Sequence, residues 1–267
     1  MQVSNLTSPT SLLTLEVRGK IALVTINNPP ANTWNEESLN GLKKLVEDLN
    51  ACKDIYALVV TGQGEKFFSA GADLNKFASG DKSTAWDMSY YFGEAFATLG
   101  NFRGFSVAAI NGYAMGGGLE CAMACDVRVA EEQAQMALPE AKVGLLPCAG
   151  GTQNLPHLVG EGWAKRLIRC GERITAAKAL EIGLVEEVVP QGKSLEKALE
   201  LAEAACQQSP TSLAACKTLV MHSREASSHQ QGWRLERELF VDLFNSNDQK
   251  EGVNAFLEKR APKWTNS

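Results

Sequence analysis

The stretch that decides the fold is Asn111-Gly112-Tyr113-Ala114-Met115-Gly116-Gly117-Gly118-Leu119-Glu120. It follows the apolar β-like run Ser106-Val107-Ala108-Ala109-Ile110 and leads into a short apolar segment that reads as a helix from about Gly117. A strand passing through glycines into a helix is a joint of α/β architecture. Three consecutive glycines let a ligand approach the backbone closely. The helix start presents unpaired N–H groups and the positive end of a dipole, which suit developing negative charge. The same glycines also fit a flexible turn or close helix–strand packing. A phosphate loop fits less well, because no Lys-Ser/Thr follows them.

Glu120 adds chemistry to this joint. It is the only charged residue between Gly112 and Cys125. A carboxylate buried there must be paired, hydrogen-bonded or protonated, because burying it unaided costs on the order of several kcal/mol. Its pKa is then open to adjustment for acid–base work. The plainer alternative is a partly solvated Glu favoured by the helix dipole.

Working outward toward the N-terminus, Leu13-Thr14-Leu15-Glu16-Val17 alternates and Ile21-Ala22-Leu23-Val24-Thr25-Ile26 is more continuously apolar; both predict strands. Asn27-Asn28-Pro29-Pro30 closes the second as a turn. Leu39, Leu42, Leu45, Val46 and Leu49 share one helical face, predicting a helix over 36–51. The strand Ala57-Leu58-Val59-Val60-Thr61 follows, and a further helix is expected within 84–100. Phe67-Phe68-Ser69-Ala70-Gly71-Ala72-Asp73-Leu74 places small residues that could expose main-chain N–H groups to a ligand; a tight turn with Asp73 as a helix cap is the alternative.

Toward the C-terminus, Asp126-Val127-Arg128-Val129 reads as a strand, and Pro139-Glu140 as the first turn of a helix. Glu140 fits that purely structural place. It also stands twenty residues after Glu120, and two carboxyls on one pocket could divide acid and base roles. Beyond residue 193 the pattern is helical: Leu195 to Cys206, Ser212 to Met221, roughly Gly232 to Phe244, and Lys250 to Lys259. The expected organisation is an α/β core over 13–192 and a helical region over 193–267.

Composition narrows the function. The 267 residues allow one large domain, and 45% apolar residues support a sizeable core. A formal charge of −5 argues against nucleic acid and membrane surfaces as partners. The polar start, Met1 to Thr10, does not look like a signal peptide, and no apolar run suits a membrane span, so a cytoplasmic location is expected. Seven cysteines without a pair of CxxC motifs, and three scattered histidines, argue against a metal site; reduced, buried thiols are expected.

Taken together, Ser69-Ala70-Gly71-Ala72-Asp73-Leu74, the segment from Asn111 to Glu120, Leu138-Pro139-Glu140, and Pro147-Cys148-Ala149-Gly150-Gly151-Thr152-Gln153 resemble the crotonase superfamily of enoyl-CoA hydratases and isomerases. Asn254-Ala255-Phe256-Leu257-Glu258-Lys259-Arg260 looks like that family's last helix, and the likeness runs from about 13 to 264. The resemblance implies a spiral of repeated ββα units with a helical C-terminal trimerisation region, assembled as a homotrimer or homohexamer. It implies an acyl-CoA thioester substrate and no separate cofactor, coenzyme A being part of that substrate.

By the same resemblance, the N–H groups of Ala72 and Gly117 form an oxyanion hole, Glu120 activates water, and Glu140 delivers a proton to the α-carbon. Ala70, Asp73 and Leu74, with Lys259 and Lys263, are the candidate contacts to coenzyme A, the lysines reaching it from a neighbouring subunit. Cys148 stands where many hydratases have Gly, and its main-chain N–H is the candidate for positioning the water. Asn154 replaces a common Arg, Phe105 a frequent Pro, and Pro30 a basic residue of some relatives. The expected reaction is reversible syn hydration of a trans-2-enoyl-CoA. A Δ3-Δ2 enoyl-CoA isomerase and a non-catalytic acyl-CoA-binding protein are the alternatives.

Overall fold

The structure, a computed structural model, describes residues 1–225 and 228–267. Among the described residues ten strands form two sheets. The larger holds β1 (Leu13–Arg18), β2 (Ile21–Ile26), β3 (Ala57–Gly62), β5 (Phe105–Ile110), β7 (Val127–Glu131) and β10 (Glu187–Val189), side by side in that order. Within this sheet only the β1–β2 pair is antiparallel. The smaller holds β4 (Phe67–Ser69), β6 (Tyr113–Met115), β8 (Gln135–Ala137) and β9 (Ile174–Thr175).

The ββα repeat is visible in the connections. A long strand enters the large sheet, a three-residue strand enters the small one, and a helix follows. Thus β3 and β4 precede α2 (Lys82–Gly100), β5 and β6 precede α3 (Gly117–Ala124), and β7 and β8 precede α4 (Gly151–Arg169). This is the expected α/β spiral.

Strand alternation sorts the core into two layers. Ala22, Val24 and Ile26 of β2, with Leu58 and Val60 of β3, face α1 (Glu36–Ala51), α2 and α3. Ile21, Leu23, Ala57, Val59, Val107 and Ala109 face the other way, against Ala198 and Ala202 of α6 (Ser194–Cys206). Both faces are covered, which is why these strands read as continuous apolar runs. Helix α1 begins where Asn35 accepts from the Ser38 N–H and Ser38 accepts from the Asn35 N–H, a reciprocal capping box.

The short α5 (Ala176–Glu181) precedes β10. After α6 come α7 (Pro210–Glu225), α8 (His229–Asp242) and α9 (Asn247–Leu257). The final residues run back over the start of β3: the Trp264 carbonyl accepts from Tyr56 Oη at 3.2 Å, and Asn266 Nδ2 donates to the Lys53 carbonyl at 2.8 Å. No helix among the described residues is long and apolar enough to cross a membrane.

Two expectations need correction. Pro139-Glu140 opens not an α-helix but one 3-10 turn, Glu140–Val143, ended by Gly144 in the left-handed region. The cysteines are all unpaired, but only Cys52, Cys121 and Cys125 are buried; Cys148, Cys170 and Cys216 are exposed.

Candidate active site

The loops that leave the C-terminal ends of β3, β5 and β7 build the site, and two buried asparagines fix the first two. Asn111, just past β5, donates through Nδ2 to the Gly62 carbonyl at 2.9 Å and the Gly64 carbonyl at 2.6 Å. Asn32 donates to the carbonyls of Gln63 and Phe67, both at 3.0 Å. These bonds tie the turn after β3 to the loops beside it and pin the start of the 67–74 segment.

Residues 69–73 then lie against α3. Trp34 pairs with Ala72 in a parallel bridge: the Trp34 N–H donates to Gly71 at 2.8 Å, and the Asp73 N–H donates to Trp34 at 3.1 Å. In that pattern the N–H of Ala72 itself points away from Trp34. Gly71, at φ +89°, is pressed so close that a Cβ there would stand 3.2 Å from the Gly117 nitrogen. Gly117 is the first residue of α3, so its N–H has no acceptor within the helix. Gly118 shows why the glycine run is obligatory: a Cβ would fall 2.2 Å from the Ser69 carbonyl oxygen. The chain therefore brings two main-chain donors, on Ala72 and Gly117, to adjoining segments at one helix start.

Glu120 lies one turn into α3 and is 2% exposed. Its Oε1 accepts from the N–H groups of Ala149 and Gly151, both at 2.9 Å. Burial raises its pKa, while the two N–H donors oppose the shift by favouring the ionised form. The Glu140 carboxyl sits over the glycine turn; a Cβ on Gly116 would stand 3.0 Å from its Oε1. Both of its oxygens are buried without a hydrogen-bond partner among the described residues. Burial pushes its pKa up to about 7; its own N–H opposes that, and the nearby Glu120 adds to it. Burial raises both pKa values, but only Glu120 has donors that favour its ionised form, whereas the Glu140 oxygens have no such partner, a difference suited to paired base and acid.

Cys148 is exposed as a residue, yet partial burial of its thiol pushes its pKa up to about 11, with the charges of Glu120 and Glu140 adding. The N–H groups that grip Glu120 belong to Ala149 and Gly151, which the sequence reading did not single out for that role. Their signal lies in the quoted Ala149-Gly150-Gly151 run, but the contact depends on a loop returning 29 and 31 residues later.

The remaining candidates fall differently. Ala70 donates its N–H to Ala31 at 3.0 Å, and the Asp73 carboxylate caps the next turn by accepting from the Asn75 N–H at 3.1 Å. Leu74 is exposed at the start of that turn. Lys259 and Lys263 are exposed in the C-terminal segment, whose last residues lie at the start of β3, whereas the site lies beyond its end. Within one chain they are not brought to Glu120. Among the described residues no cluster of three or more His, Cys, Asp or Glu could hold a metal ion.

Comparison with known proteins agrees with this geometry. The family profile described as enoyl-CoA hydratase/isomerase matches residues 16–267. The chain is 62% identical to the solved structure of DspI from Pseudomonas aeruginosa, covering 98% of this chain and 100% of that one with a TM-score of 0.94. An enoyl-CoA hydratase structure from Bacillus anthracis is 32% identical, covers 96% of this chain and 100% of its own, and superposes with a TM-score of 0.92. The 2,3-dehydroadipyl-CoA hydratase of Escherichia coli strain K12 is 41% identical over 91% of this chain and 94% of its own length. The chain belongs to the enoyl-CoA hydratase/isomerase family.

Proposed function

We propose that this member of the enoyl-CoA hydratase/isomerase family is an enoyl-CoA hydratase, adding water reversibly and syn across a trans-2-enoyl-CoA to give a 3-hydroxyacyl-CoA in acyl-CoA catabolism. The observation that carries the reading is the pair of unlike carboxyls, Glu120 gripped by two N–H donors and Glu140 unpartnered with its pKa near 7.

The Ala72 and Gly117 N–H groups serve as the oxyanion hole. Negative charge grows on the thioester oxygen during addition, and fixed main-chain donors stabilise it without reorganising; losing one such donor costs about 2.7–4 kcal/mol in other enzymes. Glu120 accepts the water proton as the hydroxyl attacks the β-carbon, and Glu140 gives its proton to the α-carbon. Cys148, beside both carboxyls, borders the water's place.

Coenzyme A, part of the substrate, runs past Ala70, Asp73 and Leu74, and no separate cofactor takes part. Lys259 and Lys263 meet its phosphates from a neighbouring subunit. Exposed apolar residues of the helical region over 193–267, among them Trp233, Phe240, Phe244 and Phe256, support assembly into a trimer or a pair of trimers. The 13–192 core carries the chemistry, and the location is cytoplasmic, with neither nucleic acid nor membrane as a partner.

The test is loss of the conjugated-thioester absorbance with crotonyl-CoA and longer trans-2-enoyl-CoA substrates, with the product identified by mass. Gain of one water is expected. Double-bond migration from a 3-enoyl-CoA without hydration would instead establish the isomerase, and binding without either reaction would overturn the enzyme.

A further inference from the structure

The loop that grips Glu120 separates two cavities. One, of about 540 Å³, is bordered by Trp86, Tyr90, Leu146, Pro147 and Cys148 and reaches the Glu120 loop at Gly150, between the two residues whose N–H groups hold that carboxylate. The other, of about 610 Å³, lies on the far side, between the end of α2, α3, the start of α4, and α7. Both sizes fall within the range of ligand-binding cavities, roughly 300–1,000 Å³. Gly93 of α2 and Gly150 at the start of α4 line both.

The far cavity suits an apolar occupant. Phe96, Met123, Leu158, Leu213, Val220 and Met221 supply its walls. Its charged lining groups are mostly spent elsewhere. Lys217 pairs with Asp126 at 3.0 Å and donates to the Phe102 carbonyl at 2.7 Å, and Arg128 pairs with Glu186. Arg224, the other charged lining group, is exposed.

Gly93 is the side-chain position that both cavities share. It stands in the interior of α2, where glycine is less favourable than alanine. No close packing requires it, since a Cβ on Gly93 would meet no atom within 4 Å. A larger side chain there would project into open space bordered by both cavities.

We propose that Gly93 is a specificity-determining position: the acyl tail of the substrate passes over it from the Glu120–Glu140 site into the cavity beneath α7, so that the protein takes medium- and long-chain acyl-CoA thioesters. This rests on the acyl-CoA reading above and adds the chain-length class. The tail leaves the reacting carbons beside Cys148, crosses the Gly93–Gly150 gap, and ends against Met221 and Val220.

Isothermal titration calorimetry with butanoyl-CoA and decanoyl-CoA tests it, because these saturated thioesters bind without turnover. The wild-type protein is expected to bind decanoyl-CoA at least about 100-fold more tightly, since six further methylenes leave water. Gly93→Leu is expected to cut that ratio to below about tenfold, mainly by weakening decanoyl-CoA. Met221→Trp, which adds bulk on the α7 wall of the cavity and leaves the α2 sequence unchanged, is expected to reduce it by at least about fivefold, and it decides the matter should Gly93→Leu fail to fold. A wild-type ratio near one, or a ratio unchanged in the folded variants, overturns the channel even if crotonyl-CoA is hydrated. The expected ratios in a preparation that hydrates nothing would support the channel and count against the hydratase.

Discussion

The Gly151 N–H donates to Oε1 of Glu120 at 2.9 Å, so the residue that starts α4 holds the carboxylate carried by α3. A glutamine at position 120 keeps an oxygen for Gly151 and Ala149 but cannot take a proton from water. Glu120→Gln is therefore expected to retain or raise the melting temperature while turnover falls at least about 100-fold, as for other general acid–base groups. Differential scanning fluorimetry beside the hydration assay checks this; turnover close to wild type would remove Glu120 from the chemistry.

Glu140→Gln should separate function from stability. The carboxyl's pKa rises from an ordinary 4.5 to about 7 on folding, mainly through burial. The folded state then binds the proton more tightly, so stability falls as pH climbs from 4.5 to about 7 and levels off above. Glutamine removes that penalty. The variant is expected to be more stable than wild type by about 1–2 kcal/mol near pH 8, after allowance for partial exposure, and indistinguishable near pH 4. Urea melts at the two pH values read the difference, and hydration by the same variant should drop at least about 100-fold.

The rate profile carries the same signature. With the proposed roles, Glu140 protonated and Glu120 ionised, kcat/KM is expected to fall above about pH 7 and, at lower pH, as Glu120 takes up a proton. The residual activity of Glu140→Gln should lack the alkaline limb. A flat wild-type profile through this range would assign the proton delivery elsewhere.

Gly118→Ala tests the close approach behind the glycine run. Its Cβ would meet the Ser69 carbonyl oxygen, a main-chain atom that no rotamer change can move, at 2.2 Å, so the two segments must part. A loss of about 1–3 kcal/mol in urea unfolding is expected, together with reduced turnover from the displaced 69–73 segment. Full activity at wild-type stability would show that the junction tolerates movement.

Much of this architecture is legible in the sequence because periodicity and burial coincide. The apolar stripe from Leu39 to Leu49 predicts 36–51, the range that α1 occupies. The long buried strands are likewise evident within a residue or two. Strands β4, β6 and β8 are not, since three residues carry no readable alternation. Helix α4 is hidden by Pro156 and by Gly160, whose φ of 76° interrupts the helix where it kinks. In the site, Glu120 stands out as a lone charge in an apolar run. Its grip by Ala149 and Gly151 does not, because no local pattern records which distant N–H meets a carboxylate.

Hydration in deuterium oxide tests the central claim most directly, because paired carboxyls serving one face of the double bond must deliver both new groups to that face. The account predicts that the 3-hydroxyacyl-CoA product, examined by proton NMR, carries one deuterium at the α-carbon, syn to the new hydroxyl and in a single diastereomer. Anti addition, or a mixture of α-epimers formed at the first turnover, would contradict it.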